Sequence, residues 1–312
     1  MKKAYYDLMS ITTVADCFIA ATVILIIVFK TPSTMRLFSY SILNIIVWGL
    51  LGNICHAVVV QPRFMKLSTC LESLGLASHY PFQAVFFLHI SSRMSHVHVC
   101  IGLYLAFLLR SIQISAKSVY HNNFQVFLFW FLNHGIVQVC ATLLSIIIKP
   151  ENEFQIEKIL QTFNMTSSMF SNTVICFNGR TSLIFAVFFA FNCFICFVTV
   201  ILFIWSFAKL RRLREAIPEQ RYRHQSTLLV NLCIFTLIPI TFIIIPSVVN
   251  AFSNIHNYEN PFLLDIVSAL DVVHNPVMGI VTLALVRPYR EFIIESFKRQ
   301  FKLISMLFTR DK

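Results

Sequence analysis

Seven apolar stretches dominate this chain, near residues 9–29, 37–60, 83–109, 124–148, 182–208, 227–249 and 263–286. Each reaches the roughly 20 residues that a helix needs to cross the hydrocarbon core of a bilayer. In lipid every backbone N–H and C=O needs an internal partner, and a single apolar stretch meets that demand only as a helix. The pattern predicts an all-α membrane protein, a seven-transmembrane helix bundle forming one domain over residues 1–312. Composition excludes the soluble alternative. Only 12% of the residues are charged and the mean hydropathy is +0.74, whereas soluble domains carry about a quarter charged residues.

The loops choose an orientation. With the N-terminus outside, the cytoplasmic segments hold 17 Lys and Arg and the outer segments 7, and Arg93 lies inside the third span. That asymmetry obeys the positive-inside rule. It also accounts for the net charge of +11 without nucleic acid, because the basic residues flank apolar runs and form no single basic face. The first span lacks a small-residue cleavage site and is expected to be a retained helix. Asn164, in Asn164-Met165-Thr166, falls in the second outer loop, where glycosylation requires it. Cys70 and Cys176 lie in the first two outer loops, on the oxidising side, and are candidates for a disulfide. The other cysteines sit in apolar runs and read as small hydrophobes. Cys193 and Cys196 have CxxC spacing but no second ligand pair. No metal or cofactor is expected.

Polar residues inside the spans are the informative ones. "HISSRMSHVHV" (89–99) puts His89, Arg93 and His96 on one stripe of a helix. A cation in hydrocarbon is costly, so Arg93 must face the bundle or a water-filled cavity. The outer half of span 3 is thus a candidate ligand cavity. The alternatives are a structural ion pair for Arg93 and, for each His taken singly, a hydrogen bond to a neighbouring helix. Span 7 carries His274, Asn275 and Pro276. Pro276 removes a backbone donor and kinks the helix, and its polar neighbours either glue helices together or mark a switch. Pro239 and Pro246 bend span 6 on nearly one face. After Arg287-Pro288-Tyr289-Arg290, the apolar residues Phe292, Ile293, Phe297, Phe301 and Ile304 recur at helical spacing among Lys298, Arg299 and Lys302. This predicts an amphipathic interfacial helix over 287–308 in contact with membrane lipids.

Several segments taken together resemble a known family. They are "FKTPSTMRLFSYSILNIIVW" (29–48), "VVVQPRF" (58–64), "HQSTLLVNLCIFTLIPITFIIIP" (224–246), "HNPVMGIV" (274–281) and "RPYREF" (287–292). In order and spacing they resemble the nematode serpentine chemoreceptors of the Srh and Sri classes. The resemblance implies a G-protein-coupled receptor of sensory neurons, in the plasma membrane and at the cilium. It would bind a small environmental molecule and signal to a heterotrimeric G protein. Arg110, Arg211, Arg212 and Arg214 then become candidates for the G-protein side; anionic lipid accounts for the same charges. Spans 3 and 7 face each other in such a fold, and similar depth pairs Arg93 with Asp271, with Asp16 as the next partner. Two features depart from rhodopsin-like receptors. Arg110, in "AFLLRSIQIS", has no acidic neighbour, and Asn275-Pro276 is not followed by the Tyr of NPxxY. Two other classes remain as alternatives. A seven-span channel or transporter is disfavoured by the charge asymmetry and by the absence of related halves. A membrane enzyme built on His clusters needs HxxHH-type spacings that are missing.

Overall fold

The computed structural model describes residues 2–32, 35–64, 70–115, 123–147, 174–176, 179–249 and 261–310. Asn164 lies outside them. Among the described residues, the long helices run in the order α1 Lys2–Lys30, α2 Arg36–Ile54, α3 Phe82–Ser115, α4 Asn123–Ile147, α5 Gly179–Arg212, α6 Glu219–Pro239, α7 Pro261–Leu285 and α8 Arg287–Arg310. Six of them contain stretches long and apolar enough to cross a membrane, and α4 contributes the shorter apolar stretch Phe127–Cys140. The helices outrun the apolar stretches. α5 continues to Lys209, Arg211 and Arg212 in its last turn, where cations suit the negative end of the helix dipole and the inner headgroups.

Two helices change pitch. α2 passes into a π turn, Cys55–Val60, closed by Gln61 in the left-handed region at φ 46°. α6 does so at Pro239, and Ile240–Ile244 form a π turn before the helix resumes. The π turn occupies the turn preceding Pro246, whose ring has no N–H and crowds that turn, and the wider turn absorbs both defects. α7, by contrast, is helical straight through Pro276.

The described residues of the first two outer loops include a small sheet. β1 (Pro62–Phe64), β2 (Cys70–Ser73) and β3 (Val174–Cys176) make an antiparallel sheet in the order β1-β2-β3. Its register sets Cys70 directly opposite Cys176. Val174 and Ile175 are fully buried, and Ile175 packs with Val85, Phe86 and Ile90 at the outer end of α3.

α3 is the axis of the bundle. It packs against α2, α4, α5 and α6, and 72% of its apolar stretch is buried against 28% for that of α5. An outer apolar cluster on Val85, Ile90, Met94 and Leu105 and an inner one on Ile45, Leu103, Phe235 and Met278 fill the interior. Large apolar side chains such as Phe131 on α4 and Phe197 on α5 point outward, as lipid requires. The buried charges Asp16 and Asp271, with Arg93, are gathered where α1, α2, α3 and α7 meet. α8 is amphipathic, with Phe292 and Ile293 on the core and Phe297 and Phe301 exposed.

Candidate functional site

Arg93 on α3 and Asp271 on α7 meet as an ion pair, Nη1 to Oδ2 at 2.6 Å, with side-chain exposures of 19% and 1%. The partner expected from depth is therefore the one found. A buried carboxylate costs several kcal/mol to desolvate, and a close cation offsets much of that cost. The bond uses one donor of the guanidinium and one oxygen of the carboxylate. Asp271 Oδ1 has no hydrogen-bond partner.

Imidazoles surround the pair. His89 and His96 are buried on the Arg93 stripe. The π turn of α2 brings His56 to Ser92, Nδ1 to Oγ at 3.2 Å. His96 meets His274 edge-on, with ring centres 5.4 Å apart. His274 Nδ1 lies 2.6 Å from the Asp271 carbonyl oxygen. Because a carbonyl only accepts, Nδ1 carries the proton, and Nε2 of neutral His274 presents a lone pair. That nitrogen, and Nε2 of His56 and His96, have no hydrogen-bond partner. No group of three or more His, Cys, Asp or Glu side chains among the described residues has a geometry able to hold a metal.

Towards α1 lies a second polar node. Asp16 is fully buried and accepts hydrogen bonds from Asn53 Nδ2 at 2.7 Å and from Asn275 Nδ2 at 2.8 and 3.1 Å. Asn53 also donates to the Val272 carbonyl at 2.8 Å. Asp16 is thus claimed by two amides rather than by Arg93. Gly49 makes room for this node, since a Cβ there would stand 2.1 Å from Asn275 Oδ1.

A third set ties α2, α3 and α4. His98 Nε2 sits 3.1 Å from Gln138 Oε1, so it donates, leaving His98 Nδ1 to accept. His134 Nδ1, 2.9 Å away, supplies that proton, and His134 Nε2 accepts from Asn44 Nδ2 at 3.0 Å. Trp48 stacks on His98 at 4.0 Å. All four ring nitrogens of His134 and His98 are matched with both rings neutral. The pattern reads as structure and leaves nothing for a ligand.

The profile of the serpentine type seven-transmembrane G-protein-coupled chemoreceptor family Srh matches residues 2–299. The chain belongs to the Srh family. Among solved structures it resembles squid rhodopsin, with a TM-score of 0.58 at 13% identity, over 96% of this chain and 86% of that one. At that identity the likeness concerns the fold alone, a seven-helix receptor bundle. The comparison with curated proteins found no match. The Srh receptor is a multi-pass membrane protein.

At the cytoplasmic end of this Srh receptor, Arg110 on α3 is buried and donates from Nη1 to Gln113 Oε1 at 2.6 Å. Its Nε and Nη2 have no hydrogen-bond partner, and it lines a cavity of about 10 Å³ with Phe38, Gln113 and Leu232. Arg211, Arg212 and Arg214 are exposed. The first two edge an open groove of about 470 Å³ along Phe203, Ile204 and Phe207, and Arg214 lies over the Tyr222 ring. Tyr289, from the RPYR turn, is fully buried. It donates to Ser39 Oγ at 2.6 Å, so the Thr31 hydroxyl, 2.9 Å away, donates to it. Burial holds this phenol above its ordinary range, so it stays a neutral donor. One side chain thereby fastens α8 to α1 and α2.

The sequence signal brought Arg93, Asp271, His89, His96 and His274 to one place. Asn275 is close by but belongs to the Asp16 node, and Pro276 follows it. Pro239 and Pro246 lie on α6, away from these contacts. His56 and Asn53 were not singled out. Their signal was a polar residue in an apolar run, which does not say which way the residue faces.

Proposed function

We propose that this Srh receptor detects a small environmental molecule in the outer half of the bundle and reports it to a heterotrimeric G protein. One observation carries the reading: a charge pair between α3 and α7, ringed by buried polar atoms without partners. Each such atom costs about 1–3 kcal/mol, which a ligand or water that supplies its partner recovers. A ligand that engages Arg93 more strongly in one packing than in another shifts the population between the two. From Asp271 the path is short. Its carbonyl holds His274, and the next residue, Asn275, holds Asp16. Movement of α7 and of the π turn in α6 then reaches the inner ends of α3 and α5 and the turn before α6, where Arg110, Arg211, Arg212 and Arg214 meet the G protein. We place the receptor in the plasma membrane of a sensory neuron, at its cilium.

The test is a cell line carrying the receptor and a promiscuous G protein, screened with small volatile and water-soluble molecules. Arg93→Asp and Asp271→Arg should each impair surface expression or response, and the double swap should recover part of the loss. A double variant no better than the worse single one refutes the role of the pair. Arg211, Arg212 and Arg214 changed together to Ala should lower signalling per receptor at the surface. Unchanged signalling would make them topology determinants only. A tagged receptor confined to the cell body in its own neurons would refute the ciliary placement.

A further inference from the structure

We infer that the ligand is an anion, in practice a small carboxylic acid, seated on the open side of the Arg93 guanidinium; this rests on the receptor reading of the same site. The pair is lopsided. Asp271 is sealed at 1% exposure while Arg93 keeps 19%, so a molecule entering from outside meets the cation first. A guanidinium has five N–H donors in a flat fork shaped for a carboxylate. Among the described residues Arg93 uses one of them, Nη1, on Asp271 Oδ2.

Access selects the same class. Asp16 and Asp271 are the buried acids among the described residues; Asp16 is engaged by Asn53 and Asn275, and Asp271 by Arg93. An amine ligand would therefore find neither carboxylate open. An acid finds the unused donors of Arg93. A neutral ligand gains no charge-assisted bond. A carboxylate on the fork also competes with Asp271 for Arg93. Recognition and the loosening of α3 from α7 are thus one event.

The experiment uses the full-length receptor in cells with a promiscuous G protein. The probes are short-chain carboxylic acids, straight, branched and hydroxylated, each beside its methyl ester, alcohol and amine. Responses are normalised to receptor labelled at the surface. At least one acid should activate, and its ester, alcohol and amine should each be weaker by about tenfold or more, the loss expected for one charge-assisted pair. Arg93→Gln should erase the preference of acid over ester. Arg93→Lys, which keeps the charge and loses the fork, should fall between. Activation by amines or neutral compounds with every acid silent overturns the anion assignment and leaves the receptor reading standing. So does silence to all probes when Arg93→Gln raises basal signalling, because coupling is then intact. Silence to all probes with basal signalling unchanged in Arg93→Gln overturns both. An acid response that survives Arg93→Gln undiminished overturns the seat on Arg93.

Discussion

At the scale of single residues, two buried carboxylates illustrate different solutions to one problem. Asp271 is compensated by a charge, Asp16 by two neutral amides and no cation at all. Removing Asp16 therefore strands donors rather than a charge. We expect Asp16→Ala to cost about 1–3 kcal/mol for each orphaned amide, above the ~0.6 kcal/mol typical of one interhelical hydrogen bond in lipid. Asp16→Asn, which retains an acceptor, should cost less; thermal melting of the detergent-purified receptor measures both. The contrast explains what was legible beforehand. A cation in an apolar run must find an anion, and similar depth, with the facing of spans 3 and 7 that the family resemblance implies, favoured Asp271 over Asp16. The amides Asn53 and Asn275 obey no such rule. Likewise, the tautomer chain through His134 and His98 depends on side chains 36 positions apart, which periodicity within one helix does not bring together.

At the scale of elements, the apolar runs gave the helices because lipid leaves a backbone no alternative. The pitch changes and the outer sheet were illegible. Nothing in "CHAVVV" distinguishes a π turn from an α turn, and β1 has only three residues. Yet these irregular pieces aim His56 at Ser92 and set Cys70 across from Cys176. Directly opposed residues of an antiparallel pair have Cα atoms roughly 4.5–5.5 Å apart, inside the range that a disulfide bridges. Peptide mapping after alkylation without reduction should recover Cys70 and Cys176 joined. Cys70→Ser and Cys176→Ser should lower surface expression equally, and the double variant no further. Helix contact supplies another test. Gly49→Ala drives a methyl into Asn275 and should cost about 1–3 kcal/mol, despite alanine's better helix propensity. Gly135→Ala, with nothing within 4 Å of the added carbon, should be neutral or stabilising in the same melting assay.

At the scale of the whole molecule, the charge asymmetry of the loops and the family fold agree on one topology. An epitope placed after Lys312 should be reached by antibody only in permeabilised cells, and one placed before Lys2 in intact ones. Labelling of the C-terminal epitope in intact cells would overturn the orientation and the G-protein side with it. The unequal burial of the helices has a consequence for how such a chain drifts over generations. α3 packs against four other helices, pairs with α7 through Arg93 and carries most of its side chains inward, so nearly every substitution on it must be answered elsewhere. α5 shows lipid most of its surface, and lipid accepts any apolar side chain. Lineages descended from a common ancestor should hence diverge fastest in the wording of α5 and slowest in α3. A saturation library scored for surface expression should trace that gradient helix by helix, with tolerance rising from the axis to the rim.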